Sequence, residues 1–132
     1  MKQNAKNVTS IYDTVIQELL KEERRKFSVV EMKFFTMWWD NQSEEMQDKV
    51  KDMVSKGQLE IINGGWSMHD EACPTYSDMI NNMMVGHEFI LNTFGVKPRI
   101  GWQIDPFGHS NANARLYAEM GFDALFFARI DY

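Results

Sequence analysis

The spacing of apolar positions along this chain changes several times, and each change marks an element. From Ser10 to Lys26 the period is helical, with Ile11, Tyr12, Val15, Ile16, Leu19 and Leu20 on one face. "KFSVVEMKFF" breaks that period. Phe27 to Val30 form a short apolar run that predicts a buried strand, ended by Glu31. A second helix is predicted from Ser43, a good capping residue, with Glu44 and Glu45 at the positive end of the helix dipole. Its stripe is Met46, Val50, Met53 and Val54, and Gly57 supplies a left-handed residue to close it. "QLEIIN" reads as a second strand running into Gly64 and Gly65. A third helix spans about Thr75 to Phe94, opened by a capping box of Thr75 and Asp78 and ended by Gly95. "RIGWQID" is a third strand, "NANARLYAEM" a short helix closed by Gly121, and "ALFFARID" a fourth strand.

The predicted order is four alternating helices and strands, an α/β chain of repeated β-α units. The strands are nearly continuous apolar runs, which suits a parallel sheet buried on both faces. Right-handed crossovers then place every strand's C-terminal end on one side. Four strands do not close a barrel, since eight βα units take about 250 residues. The expectation is either a small open sheet or a section of a larger barrel, incomplete at both ends, with two uncovered edges.

Composition narrows the partners. The 132 residues suit one domain, and 44% hydrophobic with 25% charged residues suits a packed core. A net charge of -5 argues against nucleic acid, which needs surplus Lys and Arg. No apolar run is long enough for a membrane span, and "MKQNAKNVTS" shows no signal peptide. The single cysteine, Cys73, excludes an internal disulfide. Two N-glycosylation triplets occur, at Asn7 and Asn41.

The chemistry gathers where the strands end. These segments supply Glu31, Trp66, His69, Asp70, Glu71, Asp105, His109, Arg129 and Asp131. In α/β folds the ligand site lies at that rim. Carboxylates, an arginine and aromatic rings suit a polyhydroxylated ligand. Asp105, followed by the Pro106–Gly108 turn, has two readings of equal weight. It starts an Asx-type turn, or it serves as nucleophile or metal ligand. Arg129 is placed to pair with it. Asp70 and Glu71 are adjacent, so at most one faces a pocket. Trp66 is either a pocket wall or a cover for the core, whereas Trp38 and Trp39 suit packing. His69 and His109 lack metal-ligand spacing and suit hydrogen bonding better.

"GGWSMHDEA", "GWQIDPFGHS" and "FFARIDY", in this order and spacing, resemble the catalytic domain of glycoside hydrolase family 38. These are zinc-dependent retaining α-mannosidases, and the likeness is greatest to the lysosomal type. It extends through "VVEMKFFTMWWDNQ" and so covers nearly all of the chain past the first helix. The resemblance implies that residues 1–132 are part of the N-terminal catalytic domain, a seven-stranded β/α barrel. It implies that Asp105 is both nucleophile and zinc ligand, that Arg129 lies beside it, and that Trp66 and Asp70 lie near the substrate. The implied substrates are mannose-containing oligosaccharides or N-glycans, and the implied compartment is the lysosome. The family's His-x-Asp zinc motif does not occur in the chain, and its other zinc-ligand histidine and its general acid/base lie further downstream. The expectation is therefore a catalytic-domain segment that is inactive alone. The alternative is a non-catalytic carbohydrate-binding or scaffold remnant of the barrel.

Overall fold

The computed structural model describes residues 2–130, with side chains from Asn7 onward. Its elements run α1 (Lys2–Lys21), β1 (Phe27–Val29), α2 (Met32–Trp39), α3 (Glu44–Ser55), β2 (Leu59–Ile61), α4 (Tyr76–Phe94), β3 (Ile100–Gln103), α5 (Asn111–Glu119) and β4 (Ala124–Phe127). The α/β class with short parallel strands is therefore present. Asp131 lies outside the described residues.

Most boundaries follow from local chemistry. The Ser43 side chain accepts from Met46 N and caps α3. Thr75 and Asp78 form the reciprocal capping box of α4, and Gly95 closes that helix with φ 68°. Helix α1 starts earlier than its apolar stripe and stops at Lys21 rather than Lys26. The charged run after Lys21 offers no apolar residue to bury and instead forms a turn, with Arg25 N donating to Glu22 O.

Helix α2 is the element that periodicity did not predict. "MKFFTMWW" is apolar almost all round, so no face stands out. The structure explains its shape: Met32, Phe35, Thr36, Trp38 and Trp39 are all buried. No side chain caps its start. Met32 N and Lys33 N donate instead to the carbonyls of Gly65 and Trp66, so the loop after β2 satisfies the free N–H groups of α2.

Strand β1 pairs parallel with β2, Phe27 opposite Leu59, and β3 pairs parallel with β4, Ile100 opposite Ala124. Asn63 joins the two pairs. It is fully buried and takes a left-handed backbone with φ 56°. Its N–H donates to Ile100 O at 2.6 Å, and its side-chain oxygen accepts from Trp102 N at 3.0 Å. One backbone bond and one side-chain bond of Asn63 thus tie together two strand pairs that share no ladder.

The main core gathers α1, α2, α3, β1 and β2 around Ile16, Val29, Met32, Phe35, Trp38, Val50 and Leu59. A smaller cluster of Met79, Met83, Leu116 and Tyr117 packs α4 on α5. Burial of every strand on both faces, expected from the apolar runs, does not hold for β4. Phe126 and Phe127 stay 56% and 48% exposed, because among the described residues no strand or helix covers that edge.

Candidate functional site at the C-terminal strand ends

Asp105 lies two residues beyond β3, and Arg129 two beyond β4. Because the strands are parallel neighbours, both side chains emerge at the same end. Arg129 Nε and Nη2 donate to one oxygen, Asp105 Oδ1, at 3.1 and 2.6 Å. Among the described residues no donor reaches Oδ2, and the ion pair is exposed. The guanidinium also lies over the Phe107 ring, 4.8 Å from its centroid. Phe107 is 82% exposed, so the turn after Asp105 holds an aromatic face out to solvent. Arg129 has φ 54°, a left-handed backbone that is unusual for a side chain of this size.

Asp70 reaches the same place from the loop after β2. Asp70, Asp105, Met68, His69, Pro106 and Phe107 line one cavity of about 160 Å³. Sites for small ligands usually enclose roughly 300–1,000 Å³, so this cavity is one wall of a site. Asp70 Oδ1 accepts from Ala72 N at 2.6 Å and Cys73 N at 3.0 Å. Those two backbone bonds hold its carboxyl below the usual range. Trp66 lies elsewhere. It packs half-buried on the main core, with the Lys33 ammonium 5.5 Å from its ring centroid. A larger cavity of about 550 Å³ runs beside β4, past Leu125, Phe127, Arg129 and Ile130, and does not include Asp105.

Glu71 turns away from Asp70 into the protein and is 5% exposed. It begins a run of polar contacts that sequence reading had as separate residues. Glu71 Oε2 accepts from Ser110 N at 3.0 Å and contacts His109 Nδ1 at 2.9 Å. Glu71 Oε1 accepts from Asn113 Nδ2. Asn113 Oδ1 meets His69 Nε2 at 2.7 Å, and His69 Nδ1 meets Asn82 Nδ2 at 3.2 Å. Further along, His109 Nε2 reaches Ala128 O. Asn113 and Gln103 are fully buried, and no motif in the sequence marks them. Their only signal is that polar residues interrupt apolar stretches. At the rim's other side, Glu31 Oε1 accepts from Met68 N at 3.0 Å.

Among the described residues no group of three or more His, Cys, Asp or Glu is placed to hold a metal ion. Both ring nitrogens of His69 and His109 are engaged as above. His87 Nε2 bonds Asn63 O at 2.8 Å, away from Asp105. The open Oδ2 of Asp105 offers one carboxylate ligand and no more.

A parallel α/β chain with a carboxylate and an arginine paired over its strand ends belongs to the broad class of β/α proteins whose ligand sites lie at that rim. Residues 1–132 match the family described as glycosyl hydrolases family 38 N-terminal domain, and the chain belongs to it. It is 59% identical over 126 residues to an alpha-mannosidase of Arabidopsis thaliana, covering 95% of this chain and 12% of that protein. It is 53% identical over 120 residues to the lysosomal alpha-mannosidase of Dictyostelium discoideum, covering 91% of this chain and 12% of that one. The human lysosomal alpha-mannosidase is 47% identical over 127 residues, covering 95% and 13%. The chain thus spans about an eighth of the length of these relatives. In fold it is similar to the crystal structure of an alpha-mannosidase from Enterococcus faecalis V583, with a TM-score of 0.77 at 18% identity over 96% of this chain and 14% of that one.

Proposed function

We propose that this chain is a section of the catalytic domain of a retaining α-mannosidase, and that Asp105 is its nucleophile. The observation that carries the reading is the ion pair at the strand ends. Arg129 occupies Oδ1 and leaves Oδ2 without a donor among the described residues, and Asp105 lines a cavity with Asp70. In a retaining reaction a carboxylate attacks the anomeric carbon while the glycosidic C–O bond breaks and a second carboxyl group protonates the leaving oxygen. Water, deprotonated by that second group, then cleaves the glycosyl ester and frees the carboxylate. Arg129 fixes the direction in which Asp105 presents its free oxygen. Asp70, held by Ala72 and Cys73 N–H groups, accepts hydrogen bonds from the sugar hydroxyls. Trp66 takes part from further off, by holding the loop that carries Asp70 against the core. The proton donor and the rest of the site come from outside this chain.

Zinc belongs to the same proposal. Asp105 supplies one ligand, and the others come from outside residues 1–132. When bound, the ion would contribute positive charge for the sugar hydroxyls. The four parallel strands would form one arc of the seven-stranded β/α barrel. The substrates would be mannose-containing oligosaccharides or N-glycans. The relatives named lysosomal support that compartment for this protein, and no described helix is long and apolar enough to cross a membrane.

The test is release of aryl alcohol from an aryl α-mannoside by the full-length protein. Asp105→Asn is expected to lower kcat by roughly 10⁴-fold or more, with little change in melting temperature, since the carboxylate is exposed. The isolated 132-residue chain is expected to be inactive even with zinc added. A full-length protein that binds mannosides without turning them over would favour the non-catalytic carbohydrate-binding reading.

A further inference from the structure

The polar contacts beneath the rim link α4 to the residue before Arg129. Asn82 Nδ2 meets His69 Nδ1 at 3.2 Å, and His69 Nε2 meets both Asn113 Oδ1 at 2.7 Å and Gln103 Nε2 at 3.2 Å. Asn113 Nδ2 then donates to Glu71 Oε1. Glu71 Oε2 accepts from Ser110 N at 3.0 Å and contacts His109 Nδ1 at 2.9 Å. His109 bridges two partners, Glu71 through Nδ1 and the Ala128 carbonyl through Nε2. A carbonyl only accepts, so Nε2 is the donor to Ala128 O. Glu71 is itself 5% exposed, and the Phe127 ring packs on His109 edge-on at 5.3 Å.

The far end of this run lies one residue from the ion pair. Arg129 follows Ala128, takes φ 54°, and reaches back to Asp105 Oδ1. A long side chain keeps a left-handed backbone only when its surroundings over-determine it. The bond from His109 to the Ala128 carbonyl bears directly on the peptide that precedes Arg129.

We propose that His109 is a positioning residue: anchored by Glu71, its ring holds the Ala128 carbonyl and so sets the Arg129 backbone from which the guanidinium orients Asp105. The inference rests on the α-mannosidase reading above. His109 touches neither Asp105 nor the cavity that Asp70 shares with it. Its effect passes through the geometry of Arg129 alone.

Two conservative variants separate this role from simple support of the fold. His109→Gln keeps a donor near the Nε2 position, toward Ala128 O, and gives up the contact with Glu71. His109→Asn keeps a donor near Nδ1, toward Glu71, and gives up the one to Ala128 O. Both are made in the full-length protein and assayed with an aryl α-mannoside, beside melting temperatures. If His109 positions Arg129, His109→Asn lowers kcat ~10–100-fold with KM changed less than about threefold, while His109→Gln retains more activity. Stability is expected to rank the other way, because His109→Asn keeps the buried carboxyl group of Glu71 paired. In an Arg129→Ala background, His109→Asn is expected to cost little further activity, since the two act as one unit.

Activity that ranks as the melting temperatures do, or losses that simply add in the double variant, would overturn the inference and leave the α-mannosidase reading standing. So would variants within about threefold of an active parent. A full-length parent without turnover would overturn that reading, and the positioning role with it.

Discussion

His87 carries its ring into the space between α4 and the end of β2. Nε2 donates to Asn63 O at 2.8 Å, and the ring meets Phe122 edge-on at 5.7 Å. Burial pushes its pKa below the usual 6.5. The Asn63 bond opposes that shift, and Lys97 adds to it. The sign follows from linkage. Below the free value the unfolded chain binds a proton that the folded one refuses, so stability is full above about pH 6.5 and is lost as pH falls toward the folded value. Replacing the ring by His87→Gln is expected to flatten that loss. Melting temperatures at about pH 7 and about pH 5 should differ less in the variant than in the parent, even if both are lower. An equal drop in the two proteins would show that His87 does not drive the acid response. At this scale the sequence told residue type and little of the surroundings. Asp70 and Glu71 are neighbours in the chain, yet one lines the cavity with Asp105 and the other is buried under it. Alternation required them to diverge but left open which one faces outward.

Between elements, the tightest meeting is that of α4 with the loop after β2. A Cβ built on Gly86 would lie 1.9 Å from Gly64 O and 2.9 Å from Trp66 N. The close approach lets Asn82, one turn earlier on the same helix, bond Ser67 through its side chain. Gly86→Ala is therefore expected to destabilise by about 3 kcal/mol or more, since backbone rather than a pliable side chain must move. Chemical denaturation of the full-length protein would measure it, and a cost near zero would mean that α4 shifts freely. By contrast, Ser43→Ala removes only the cap of α3 and is expected to cost about 1 kcal/mol. Helices α3, α4 and α5 were legible because each carries its own start and stop signals. Helix α2 was not, because it is buried on nearly every side and its N–H groups are satisfied by a distant loop. The joint between β2 and β3 was equally hidden. Nothing in "EIINGG" announces that Asn63 will turn left-handed and accept from Trp102 N with its side chain.

For the whole molecule, the strands form two separate parallel pairs, β1 with β2 and β3 with β4, so β1 and β4 each have an unpaired edge among the described residues. Beside β4, Phe126, Phe127 and Ile130 are 56%, 48% and 63% exposed. Unpaired strand edges with apolar side chains recruit other strands. The isolated 132-residue chain is accordingly expected to self-associate. Sedimentation velocity should show species larger than the 15.5 kDa monomer, and Phe126→Lys should shift the distribution toward it. A soluble monomer with one sharp cooperative melt would contradict this.

What the sequence by itself determined is therefore local and periodic: the capped helices, the short apolar strands, their parallel α/β order, and the motifs that mark the family. Those are set by neighbours within a few turns, where spacing and capping chemistry act directly. Only the tertiary structure decided which polar residues meet. It put Arg129 on one oxygen of Asp105, placed Asp70 rather than Glu71 in their cavity, and sent Trp66 to the core. It also joined five side chains from three segments into the run that ends at Ala128. The physical reason is that such contacts depend on where loops turn and on which buried groups still need a partner. Both are settled only when the elements pack.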